Sequence, residues 1–106
     1  MKKEMKIYTE KAKSRFSEFG WGNGYVGVTK GHPWYEVDYD EIGVSIHGGL
    51  TYADHWNCET QKITPNIWWI GFDTSHLMDN PVNCSESFVD SEIQSLQKQA
   101  QRQYNV

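Results

Sequence analysis

The sequence has no long apolar run. Nowhere in its 106 residues does an apolar window approach the roughly 18 positions that a membrane-spanning helix requires. The opening Met1-Lys2-Lys3-Glu4-Met5-Lys6 has the charge of an export leader, but no apolar stretch follows it, so the expected location is the cytoplasm. Cysteine is scarce. Cys58 and Cys84 stand 26 apart and form neither a CxxC pair nor a zinc spacing with a nearby histidine, so both are expected as reduced thiols. Bases are scarce beyond residue 15. Residues 1–15 hold six bases against two acids, a net +4, whereas residues 16–106 hold four bases against twelve acids, a net −8. An acidic body does not wrap a nucleic-acid polymer, which needs several phosphate-neutralising bases on one face. Three signatures are also missing: a phosphate-binding Walker loop, a dinucleotide fingerprint and a nucleophile elbow. Gly20-Trp21-Gly22-Asn23-Gly24 is rich in glycine, but it lacks the GxGxxG spacing and no helix signal follows.

Aromatic residues, by contrast, are plentiful. Phe, Trp and Tyr make up 14% of the chain although mean hydropathy is −0.71, which sets it apart from a disordered, aromatic-poor tail. The length fits one domain over 1–106, divided into a basic N-terminal arm (1–15), a motif-bearing core (20–80) and a C-terminal helix (85–103). In the arm, Met5, Tyr8, Ala12, Phe16 and Phe19 fall near helical spacing and Gly20 follows. A helix over 9–19 is therefore favoured, with an edge strand at Lys6–Thr9 as the alternative. Tyr25–Val28 is a β-prone run, and 29–41 and 74–84 read as loops, as does 56–66. Val44–His47 and Leu50–Ala53, separated by Gly48-Gly49, read as a hairpin. Its pairing would place Ser45, His47, Leu50 and Tyr52 on one face and Val44, Ile46, Thr51 and Ala53 on the other. Ile67–Phe72 is the most apolar run and fits a central strand, with Trp68, Ile70 and Phe72 on one face and Trp69, Gly71 and Asp73 on the other. Val89, Ile93, Leu96 and Ala100 recur as one stripe of a helix. The expected class is α+β: a small, mostly antiparallel sheet with a C-terminal amphipathic helix packed on it.

Ionisable residues gather at the ends of these strands: His32, Asp38 and Asp40, His47, Asp54 and His55, then Asp73, His76 and Asp79. Loops held by a rigid sheet commonly carry binding sites. Trp69, Gly71 and Asp73 together offer a flat ring, bare backbone and a carboxylate, which suits stacking and hydrogen bonding to a planar ligand. The expected ligand-binding set is His32, Tyr39, Asp40, His47, Gly48, Gly49, Trp69, Asp73, His76 and Asp79. No resident cofactor is expected. If a divalent metal binds, Asp73, His76 and Asp79 are the candidate ligands. The loop aromatics Trp21, Trp34, Tyr35, Tyr39 and Trp56 exceed what so small a domain easily buries, which points to a pocket or to contacts in a homo-oligomer.

Five segments together carry a resemblance: Gly24-Tyr25-Val26-Gly27-Val28, Gly31-His32-Pro33, Asp38-Tyr39-Asp40, His47-Gly48-Gly49-Leu50-Thr51-Tyr52, and Trp68-Trp69-Ile70-Gly71-Phe72-Asp73 with His76 and Asp79. This set resembles a family of small phage and prophage proteins with the pattern GYVGV, GHP, HGGLT and WWxGFDxxHxxD. The likeness spans about residues 20–80 and departs from the pattern at Thr74-Ser75, where members often carry Cys-Ala. It implies a phage-encoded protein in the bacterial host's cytoplasm. Small phage proteins without an enzyme signature often counter host defence, and one such class sequesters nucleotide-derived immune signals, either cyclic dinucleotides or ADP-ribose derivatives. The expected partner is thus a small nucleotide-like ligand, with no nucleic-acid polymer and no membrane. The alternative is a phosphodiesterase-like hydrolase of such a signal, with His47, His76 and Asp73 as its catalytic groups.

Overall fold

The computed structural model describes residues 6–15 and 18–104. Among the described residues, six strands and one long helix follow in chain order: β1 (Tyr8–Lys13), β2 (Gly22–Thr29), β3 (Tyr52–Asp54), β4 (Trp56–Asn57), β5 (Lys62–Ile63), β6 (Ile67–Phe72) and α1 (Glu86–Tyr104), with a short 3-10 turn at Tyr39–Glu41. The main sheet is antiparallel throughout, in the order β1-β2-β6-β3, and β4 and β5 form a separate two-stranded ribbon. The architecture is therefore α+β, a small antiparallel sheet covered by a C-terminal helix. Among the described residues, no helix is long and apolar enough to cross a membrane.

Alternation along β2 and β6 creates two different faces. Val26, Val28, Ile70 and Phe72 are fully or nearly fully buried and meet Val89, Ile93, Leu96 and Ala100 of α1, while Trp34 and Ile42 close the rim. The helix can sit this low because Gly24 offers no side chain. A Cβ there would lie 2.6 Å from Ile93 and 2.6 Å from the Phe72 ring. The opposite face is aromatic. Tyr25 pairs across the ladder with Gly71, and Trp69 with Gly27, so each ring lies over a neighbour that has none. Tyr52 meets Tyr25 edge-on at 5.4 Å, and Tyr8 leans on Trp69 at 6.3 Å.

Three expectations are corrected. The region favoured as a helix over 9–19 begins with a strand, β1. Its alternation decides the matter: Tyr8 and Glu10 face the aromatic side, Glu10 accepting from Asn57, while Lys11 reaches across to Glu86 and Asp90 of the helix. The helical spacing of its apolar residues was weaker than the demand of β2 for a partner on its open edge. Residues 16 and 17 of that expectation lie outside the described residues. The hairpin across Gly48-Gly49 is also absent. Thr51–Asp54 pairs with β6 instead, and residues 45–47 run along α1. There Gln99 binds both the N–H and the C=O of Ser45, and Glu92 accepts the N–H of His47. Two polar side chains seven positions apart on one helix face therefore replace the missing strand partner, and the face assignments drawn from that hairpin lapse with it. The polar stretch 56–66, read as a loop, contains the small β4–β5 ribbon.

Candidate functional site

Two loops meet beside the N-terminal half of α1. One is the turn after Val44–Ile46, closed by the Gly49 N–H to the Ile46 carbonyl at 3.0 Å. Gly48 and Gly49 adopt φ values of +67° and +80°, which glycine takes without strain. The other loop leaves the end of β6 and runs through Asp73, His76 and Asp79 to Cys84, immediately before the helix. It is stiffened from within: Asp73 accepts the Ser75 N–H, Asn80 accepts the N–H groups of Val82 and Asn83, and Cys84 donates its N–H to the Asn80 carbonyl.

Asp79 is the hub. Its Oδ1 accepts from His47 Nε2 at 2.8 Å, and its Oδ2 accepts from the His76 backbone N–H at 2.9 Å and from His76 Nδ1 at 2.8 Å. The residue is only 8% exposed. Burial opposes its charge, but the His76 and His47 donors outweigh that cost and hold the carboxyl down at about 2. These bonds fix the tautomers, so His47 carries its proton on Nε2 and His76 on Nδ1. The two imidazoles meet edge to face with ring centres 5.3 Å apart, and Phe88 of the helix backs His47 at 5.1 Å. Both side chains remain about a quarter to a third exposed. Asp73 Oδ1 stands 3.6 Å from His76 Nε2, too long for a hydrogen bond. Gly48 lies directly against the His76 ring. Cys84 Sγ completes the cluster, 3.8 Å from His47 Nε2.

Of the expected site residues, the fold unites His47, Gly48, Asp73, His76 and Asp79. Gly49 adjoins them and faces open space. The other four lie elsewhere. Trp69 is on the far face of the sheet, 3% exposed, with its indole N–H on Thr64 Oγ1 at 2.9 Å, and it is not available to stack a ligand at this site. His32 is a core fastening. Its Nδ1 accepts the Trp34 N–H and its Nε2 donates to the Ala100 carbonyl at 2.8 Å, and burial pushes its pKa down. Tyr39 and Asp40 sit in the exposed 3-10 turn. Cys84, Phe88 and Glu92 were not expected at the site. Cys84 had no spacing signal because its histidine partner, His47, comes from a distant loop.

The arrangement is not that of a nucleophile–base–orienter triad. In such a triad the base uses its two ring nitrogens for two different partners, whereas here Asp79 and Cys84 both face Nε2 of His47. Burial and the Asp79 carboxylate push the Cys84 thiol up, away from the thiolate that nucleophilic attack requires. What the geometry offers is a pair of fixed, partly exposed imidazole edges next to bare glycine backbone. Beside it, Leu77, Met78 and Val82 project almost fully into solvent. Compared with protein-family models, with curated proteins and with solved structures, the chain finds no match.

Proposed function

We propose that the protein is a binding module rather than an enzyme, and that it captures a small nucleotide-like ligand at the His47–His76–Asp79 cluster. One observation carries this reading. The HGG segment and the DxxHxxD segment, separated by more than twenty residues in the sequence, fold into one contact in which a single buried carboxylate orients two half-open imidazoles. With their N–H groups committed to Asp79, the imidazoles offer the lone pairs of His47 Nδ1 and His76 Nε2 to ribose hydroxyls, their C–H edges and the bare backbone at 48–49 can lie against phosphate oxygens, and Asp73 can accept from a hydroxyl or an amine. With Trp69 buried, the rings available to lie against a base are the imidazoles themselves. The family likeness of these same segments supplies the biological setting: a phage-encoded protein, working in the host cytoplasm, that sequesters a cyclic dinucleotide or an ADP-ribose derivative and so blunts a nucleotide-triggered defence.

The test is calorimetry of the full chain with a panel of cyclic dinucleotides and cyclic ADP-ribose isomers, followed by release of the ligand on heating. The expected result is saturable binding by at least one panel member, recovery of that ligand intact, and loss of binding in His76→Ala. Absence of binding across the panel overturns the reading. Recovery of fragments replaces it with the hydrolase alternative.

A further inference from the structure

We propose that His47 Nε2, Asp79 Oδ1 and Cys84 Sγ form a site for a zinc-like divalent cation. The inference is independent of nucleotide capture and stands or falls on metal binding alone. Its basis is the direction in which the three groups point. A histidine that merely links a thiol to a carboxylate would place them on its two different nitrogens, but here both converge on Nε2. Among the described residues these are the three potential ligand atoms that gather, all within 4.8 Å of one another. The Nε2–Sγ separation is 3.8 Å and the Nε2–Oδ1 separation 2.8 Å. Around a tetrahedral zinc, with bonds of about 2.0–2.3 Å, neighbouring ligand atoms stand on the order of 3.3–3.7 Å apart. The thiol stands close to that spacing from Nε2, Oδ1 and Sγ lie within 4.8 Å of each other, and the carboxylate withdraws from Nε2 by about half an ångström as the intervening proton departs.

The supports are also those of a metal centre. The second oxygen of Asp79 is held by two donors of His76, which leaves Oδ1 as the coordinating atom and fixes its direction. The His47 ring is wedged between His76 and Phe88. Cys84 is 2% exposed, and its backbone is pinned at both ends, N–H to Asn80 and C=O to Trp21. Its Cβ packs against Gly20, where any side chain would collide with it. Imidazole, carboxylate and thiolate together favour zinc over magnesium or calcium, which prefer oxygen alone. On coordination the Cys84 proton leaves to solvent and the Nε2 proton of His47 moves to Nδ1, so one proton is released per cation. This set differs from Asp73, His76 and Asp79, the trio suggested by sequence spacing. In the fold His76 turns Nδ1 toward Asp79 rather than toward a shared centre with Asp73.

The experiment is titration of the reduced, chelator-treated full chain with cobalt(II), a spectroscopic probe, and then displacement by zinc. Expected are one equivalent per chain and a thiolate-to-cobalt charge-transfer band that Cys58→Ser retains and Cys84→Ser abolishes. His47→Ala should weaken binding at least about tenfold, whereas Asp73→Asn should change it less than about threefold. If Cys84→Ser or His47→Ala fails to fold, the Cys58→Ser spectrum decides alone, because its thiolate band can come only from Cys84. The proposal is overturned if the wild-type chain gives no thiolate band, if the band disappears in Cys58→Ser, or if Asp73→Asn costs as much as His47→Ala.

Discussion

Gly48 presses its Cα against the face of the His76 ring so closely that a Cβ at that position would overlap all three of the nearest imidazole atoms, Cε1, Nε2 and Nδ1. The backbone at 48 is also left-handed, at φ +67°. Gly48→Ala should therefore do two things at once. It should lower stability by about 1–2 kcal/mol through backbone strain, and it should push His76 off Asp79. Chemical denaturation reads the first effect, and the imidazole resonances of His76 read the second. Unchanged His76 resonances would show that the contact is slack.

Asp79 makes the site sensitive to acid. Its folded carboxyl titrates at about 2 against an ordinary value of 3.8. A depressed folded value means stability that is present in full above 3.8 and lost as pH falls from there toward 2. Protonation removes about 2 kcal/mol over that window. Asp79→Asn should lose this portion of the acid dependence, and it should be destabilised at neutral pH because the His47 and His76 donors then face a neutral amide. Urea midpoints measured between pH 2 and 5 for the two chains would settle the matter, and parallel pH profiles would reject it.

His55 behaves in the opposite sense. Burial lowers its pKa, but the Glu36 carboxylate and the carbonyls of Ile67 and Thr64 outweigh this and raise it above 6.5. Both ring nitrogens donate, so the folded state prefers the imidazolium. The stabilisation is therefore complete below 6.5 and disappears as pH rises through the folded value. Because Glu36 is largely exposed, the effect should be small and weakened by salt. Glu36→Gln should shift the His55 titration, followed by NMR, back toward 6.5, and an unmoved titration would count against the pair.

Trp69→Phe separates the two faces of the sheet. The indole N–H to Thr64 is lost and a gap opens beside Gly27, which should cost about 1–3 kcal/mol. Metal and ligand affinity at the His47 cluster should stay within about twofold, since the Trp69 side chain lies on the opposite face of the sheet with its indole held by Thr64. A tenfold loss would mean that the aromatic face belongs to the site after all.

The elements legible in the sequence were those with one dominant demand. Ile67–Phe72 had to be central because nothing in it tolerates water. The stripe Val89, Ile93, Leu96 and Ala100 had to be a helix face, and all four are buried there. Tyr8–Lys13 was ambiguous because a short edge strand is chosen by its neighbour and not by its own pattern. The false hairpin had a sound local signal in Gly48-Gly49. It lost to Glu92 and Gln99, whose competing hydrogen bonds lie more than forty residues away. The site was half visible for the same reason. Asp73, His76 and Asp79 share one loop and could be grouped by spacing, whereas His47, which ties Cys84 into the cluster, arrives only through tertiary folding. Trp69 could be assigned to the right face but not to the right depth, because Tyr8 of the misread arm leans on it and Thr64, from a stretch that reads as polar loop, holds its indole.

The stitching of residues 45–47 to Glu92 and Gln99 has a consequence for assembly. Both anchoring side chains lie on α1, downstream of every other member of the cluster. Residues up to Cys84 alone lack the surface on which His47 is seated, so the cluster stays open until α1 docks. Docking of one helix therefore both closes the core and completes the cluster, so the two events are coupled.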